Sequence, residues 1–185
     1  LTNNIDEAKL ADKVDAYRGD EMDAKIARAA AEVESQFYCK ITRVEEIIEF
    51  AKKIGAKKIG IATCIGLIEE SKIFARILKK RDLIPYGVAC KVGATDKTEV
   101  GMDESDKIRP GGHESLCNPI MQAKILNDVG TDLNVIVGLC VGHDSLFIKY
   151  AEAPVTTLIT KDRVLGHNPA AALYLTKTYY GKLLK

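Results

Sequence analysis

From Lys57 onward the chain alternates short apolar runs with helical ones, four times over, and this alternation most narrows its fold. Ile59-Gly-Ile-Ala-Thr-Cys64 is a short apolar run, the pattern of a strand covered on both faces. The helix that follows carries Ile73, Phe74, Ile77 and Leu78 on one side. Lys79, Lys80 and Arg81 fall in its last turn, where cations suit the helix dipole. Ile84–Cys90 is the second strand. Pro85, near its start, cannot donate to a ladder and so places it at an edge. After a long connection, Asn118 caps and Pro119 opens a helix that ends at Gly130. Leu133–Cys140 is the third strand, and Asp144 or Ser145 caps a helix through about Tyr150. Val155–Thr160 is the fourth strand, and Asn168-Pro169 opens the last helix. Strands alternating with helices imply parallel βαβ units with right-handed crossovers. The expected fold is α/β: an open, mostly parallel four-stranded sheet in a flavodoxin- or Rossmann-like order 2-1-3-4, with helices on both faces.

Residues 1–55 read differently, as an N-terminal helical segment packed on the core, with 56–185 forming the α/β domain of one compact unit. Asn4 is placed to cap a helix through about Tyr17, ending near Gly19. A second helix from about Glu21 carries Ile26, Ala29, Ala30, Val33 and Phe37 at helical spacing. Thr42 and Glu45 form a capping box, and Gly55 stops the helix they open.

In open parallel sheets the ligand crevice lies beyond the carboxyl ends of the strands, at the switch point. Cys64, Cys90 and Cys140 each end an apolar run, and Cys117 immediately precedes Asn118-Pro119. His113, His143 and His167 lie in the same class of loop. A lone buried cysteine often serves as a small hydrophobe, the reading that suits Cys39. Four at equivalent crevice positions point instead to a soft-metal site. Four thiolates suit a 4Fe–4S cluster or a tetrahedral zinc. Structural zinc usually takes paired C-x-x-C-type knuckles, and this chain has none, which favours the cluster.

His143, in Cys140-Val-Gly-His-Asp-Ser145, is a candidate ligand, proton donor or plain loop residue. His167 lies after the last strand. His113-Glu-Ser-Leu-Cys117 resembles a zinc-protease motif, but the helix starts after Cys117, so the likeness is accidental. The long loop 91–117 is of the kind that acts as a lid, with Arg109 as a candidate catalytic group holding an anion. A solvated excursion with a turn at Pro110-Gly111 is the plainer alternative. Asn134 and Thr156, on otherwise apolar strands, either face the site edge or satisfy backbone groups.

Other chemistries are excluded by what is missing. There is no G-x-G-x-x-G after the first strand, no P-loop, no nucleophile elbow and no C-x-x-C. Lys and Arg number 27 against 26 Asp and Glu, with no basic stripe, so nucleic acid is not the expected partner. No apolar run approaches a membrane span, and no signal peptide opens the chain. The first residue is Leu1 rather than Met, so a preceding segment is expected. Five cysteines, an odd number, fit a reducing cytoplasm with free or metal-bound thiolates.

The segments Ile59–Leu67, Lys107–His113, Cys117–Pro119, Val137–Phe147 and Leu165–Pro169 resemble an uncharacterised prokaryotic family, DUF1847, whose members are called predicted metal-binding proteins. The likeness runs from about Ala30 onward. It implies that Cys64, Cys90, Cys117 and Cys140 are the family's cysteine positions. Members also carry a cysteine-rich N-terminal segment, whereas this chain has no cysteine before Cys39. The expected function is an iron–sulfur protein of anaerobes, holding its cluster on those four cysteines for electron transfer or small-molecule redox chemistry. The alternatives are a zinc-stabilised binding or regulatory module and a metal-free thiol redox protein. The expected partners are a redox protein or a small substrate, with a homodimer through the helical front as a further option. Whether the protein is an enzyme stays open.

Overall fold

In the computed structural model, the structure describes residues 6, 7, 11 and 14–185. The Asn4 cap lies outside them. The chain divides into two compact units, residues 1–57 and 58–185.

The first unit pairs two helices, α1 (Met22–Phe37) and α2 (Arg43–Lys53). Thr42 and Glu45 form the capping box the sequence predicts, with Glu45 Oε2 accepting from the Thr42 N–H at 2.8 Å. Lys53 of α2 reaches Glu32 of α1 at 2.7 Å.

The second unit is built on four parallel strands, β1 (Lys58–Thr63), β2 (Ile84–Ala89), β3 (Leu133–Val137) and β4 (Val155–Ile159), in the order β2-β1-β3-β4. This is the α/β sheet and strand order expected. Each strand ends before its expected last residue, so Cys64, Cys90 and Cys140 lie just past the ladder, in the loops. Pro85 lies on an edge strand, as its missing N–H demands. β1 and β3 hold the centre, and every residue from Ile59 to Thr63 and throughout β3 is buried. One face of β1 and β3 meets α4 (Pro119–Val129) and α5 (His143–Tyr150), with Ala62, Ile136, Ala123, Leu126 and Phe147 in one apolar cluster. The other face carries Thr63, whose Oγ1 accepts from Ser71 of α3 (Ile68–Lys79) at 2.6 Å.

Asn118 caps α4 as predicted, its Oδ1 accepting from the Met121 N–H at 3.0 Å, and Gly130 closes that helix at φ +65°. Two helix starts differ from expectation. α5 begins at His143 after Gly142, and Asp144 lies inside it. The Asp144 carboxylate still takes the turn's donors, the N–H groups of Gly142 (3.0 Å) and Ser145 (2.8 Å). The helix after Asn168-Pro169, α6 (Ala170–Tyr174), is a single short turn with Pro169 as its cap. Asn134 is structural, its buried Oδ1 accepting from Thr131 at 2.8 Å.

Candidate functional site

At the carboxyl end of β1 and β2 the ladder opens. The Thr63 carbonyl still takes the Cys90 N–H at 2.8 Å. Beyond it the Cys90 carbonyl accepts from Asn118 (2.7 Å), and the Ile65 N–H turns to Cys90 Sγ (3.3 Å). Thr63 and Ala89 are register partners, so Cys64 and Cys90 stand side by side at the next position. The Asn118 bond brings Cys117 alongside. The Cys90 thiol thus packs with both Cys64 and Cys117. Gln122, fully buried one turn into α4, braces this floor by donating to the carbonyls of Thr63 (3.2 Å) and Val88 (2.7 Å).

The surroundings polarise the three thiols unequally. The Cys90 hydrogen bond is the main influence that lowers Cys64 to about 5, against burial, aided by the Gly66 N–H and the Lys161 ammonium. The same bond lowers Cys117 to about 5, aided by the charges of Lys91 and His143. Cys90 moves the other way, because its bonds to Cys117 and Cys64 and its burial hold the proton on its sulfur. A lysine thus stands at each outer sulfur, Lys161 at Cys64 and Lys91 at Cys117. Lys91 also donates to the Ser115 carbonyl, which fixes its stem.

Three of the four predicted cysteines therefore come together. Cys140 is engaged elsewhere, its Sγ accepting from Arg163 Nη2 at 2.8 Å. Its carbonyl takes the His143 and Asp144 N–H groups at 2.9 and 3.1 Å. Cys39 is exposed, at φ +56° in a turn after α1. His143 stands near Cys117 at the start of α5. His113 lies over Asp96, with Nδ1 at 3.3 Å from Oδ2, and His167 Nδ1 accepts from the Asp162 N–H at 3.2 Å.

Arg109 lies exposed in the 91–117 loop, and its N–H donates to Glu114 at 3.3 Å. That loop is a folded excursion. Lys107, nearly fully buried, bonds Asp96 (2.9 Å), Glu104 (2.7 Å) and the Gly112 carbonyl (2.9 Å). Lys97 pairs with Glu114 at 2.8 Å. Lys91, Lys161 and Arg163 were missed in the sequence. No local motif marks them, because Lys161 and Arg163 meet their cysteines across loops from different strands and Lys91 meets Cys117 across the whole 91–117 loop.

The donor set is sulfur, which suits zinc or an iron–sulfur cluster and not the hard cations. Among the described residues, no group of three or more His, Cys, Asp and Glu side chains is arranged to hold a metal ion. Nor is any helix among them long and apolar enough to cross a membrane.

Comparison with known proteins agrees with the residues quoted above. An uncharacterised protein of Methanocaldococcus jannaschii, MJ0455, is 54% identical over 172 residues, covering 93% of this chain and 86% of the relative. Residues 1–158 match the family model described as protein of unknown function DUF1847, and the chain belongs to that family.

Proposed function

We propose that this protein carries a thiolate-bound metal centre at the strand-end crevice, an iron–sulfur cluster of the 4Fe–4S type, for electron transfer or redox chemistry on a small molecule. The observation behind this reading is the convergence of Cys64, Cys90 and Cys117 from three separate segments. Three soft donors at one point are more than packing needs. Cys140, at the end of the neighbouring segment, is the fourth ligand once its sulfur leaves Arg163. When bound, a cluster supplies one-electron chemistry. The chain's own groups hold and tune the sulfurs. Ile65 and Gly66 donate backbone N–H groups to Cys90 and Cys64. Lys161, Lys91 and His143 offset the thiolate charge. His143 and Arg109 remain the candidates for contact with a substrate. The five free cysteines fit a cytoplasmic protein whose partner is a redox protein or a small substrate.

Zinc is the second reading, favoured by the crowding of all three thiols around Cys90, since a single ion gathers its ligands about one point. Strictly anaerobic purification, an absorbance spectrum and iron, sulfide and zinc analysis separate the two. A brown protein with matched iron and sulfide supports the cluster, and Cys140→Ser then alters its absorbance. A colourless protein with stoichiometric zinc moves the function to a metal-stabilised binding module. Absence of both metals after reconstitution overturns the proposal.

A further inference from the structure

Cys90 has two neighbours and can form one disulfide. Cys64 and Cys90 follow a register pair on adjacent parallel strands, about 4.8 Å apart and so inside the span a disulfide bridges. The Asn118 N–H donates to the Cys90 carbonyl at 2.7 Å, which packs Cys117 against the cluster that holds Cys64 and Cys90. The three differ in access: Cys64 and Cys90 are buried, at 7% and 2% exposure, while Cys117 is partly open to solvent.

We propose that these residues form a thiol relay that accepts oxidising equivalents from a low-molecular-weight disulfide, with Cys117 as the attacking sulfur and Cys90 as the resolving one. Cys117 sulfur bonds one sulfur of R–S–S–R, that S–S bond breaks, and the first thiolate leaves and takes a proton from water. Cys90 sulfur then bonds Cys117 sulfur. The mixed disulfide breaks, and the second leaving group takes the Cys90 proton. Two cysteine thiols are oxidised to one disulfide, and R–S–S–R is reduced to two thiols. Cys64 can next displace Cys117 from Cys90, moving the bond inward by exchange with no net electron change. The relay stands on thiol geometry alone. Its consequence for the metal rests on the preceding reading: a disulfide removes two ligands, so metal and disulfide exclude each other.

The test uses the metal-free full chain with Cys39→Ser, which removes the exposed competitor, treated with oxidised glutathione and mapped by non-reducing peptide mass spectrometry. The expected product links Cys90 to Cys117 or Cys64 and keeps no glutathione. Cys90→Ser and Cys90→Ala should both stall with glutathione held on Cys117. Cys117→Ser should slow formation of the Cys90 disulfide at least about tenfold, since Cys64 and Cys90 are both buried. A lasting adduct on Cys117 when Cys90 is present, a bridge to Cys140, or no reaction would overturn the relay. Metal uptake is measured separately on reduced protein. Uptake without the relay sinks this inference alone, and the relay without uptake sinks only the metal centre.

Discussion

Gly138 offers a sharp test of how the fold holds the crevice. It follows β3 at φ +70°, a region that L side chains enter at a cost of roughly 1–2 kcal/mol. A Cβ there would fall 2.1 Å from Leu67 Cδ1 and 3.6 Å from Lys161 Cδ. Leu67 is 2% exposed and closes the short turn that begins at Cys64, so it has little room to retreat. Overpacking of this kind costs about 1–3 kcal/mol. Reduced freedom of the unfolded chain returns about 0.4–1 kcal/mol. Gly138→Ala should therefore destabilise the protein by about 2–4 kcal/mol.

Gly130→Ala is the internal control. Gly130 has a similar left-handed conformation, φ +65°, but nothing lies within 4 Å of its virtual Cβ. It should lose only the conformational part less the same unfolded-chain return, about 0–1.5 kcal/mol. With no tryptophan in the chain, urea unfolding is best followed by far-UV circular dichroism. At a urea slope of about 2 kcal/mol/M, the Gly138 variant's midpoint should drop by roughly 1–2 M. Thiol reactivity at Cys64 should change with it, because Leu67 and Lys161 both move. Equal losses for the two alanine variants would refute the packing argument. A loss under about 0.5 kcal/mol at Gly138 would refute the strain argument as well.

Three other outcomes are expected. Phe147, fully buried in the cluster that includes Cys64 and Cys90, should cost about 3–5 kcal/mol as Phe147→Ala in the same urea assay. Gln122 has a buried Oε1 without a partner, so Gln122→Leu loses two hydrogen bonds but also an orphaned acceptor. It should stay within about 1.5 kcal/mol of the parent, whereas Gln122→Ala leaves a cavity and loses about 2–4 kcal/mol; equal losses would contradict this. In the 91–117 loop, Thr98 and Lys107 hold Asp96 below the ordinary carboxylate range, and Lys97 does the same for Glu114. Depressed carboxyls stabilise above their unfolded value, about 4, and lose that as pH falls through the folded values. Lys107 is raised by Glu104 and Asp96, so its contribution is full below about 10.4 and fades as pH rises through its folded value. Protection factors of the Lys97 and Leu116 amides, which divide out the intrinsic pH dependence of exchange, should therefore be high near neutrality and fall below about pH 4; flat protection factors would count against the network.

The parts of this fold that local chemistry dictates were legible in the sequence. Thr42 with Glu45, Asn118 with Pro119, and Gly130 each act through backbone groups within a few residues, so spacing alone reveals them. Pro85 announced an edge strand for the same reason. The start of α5 misled because Asp144 satisfies cap donors from inside the helix, a role residue type does not separate from capping. Lys107 reads as a solvated loop cation. Its burial depends on Asp96 and Glu104 closing over it, which only the folded loop brings about.

The split of the cysteines into three and one follows from what closes each strand's last rung. Between β1 and β2 the rung beyond Thr63 is surrendered. Asn118 takes the Cys90 carbonyl, the Ile65 N–H goes to sulfur, and both changes draw thiols together. Between β1 and β3 the Cys64 N–H donates to the Val137 carbonyl at 3.1 Å, and between β3 and β4 the Gly138 N–H donates to Ile159 at 2.8 Å. The chain then turns at Gly138, and Cys140 emerges beside Arg163, two residues past Lys161. One cation-bearing segment, 161–163, therefore serves both groups, with Lys161 at Cys64 and Arg163 at Cys140. A change that shifts Cys140 toward the other three must first break the Arg163 contact. Arg163 is thus the residue that holds Cys140 in its own contact, apart from the group of Cys64, Cys90 and Cys117.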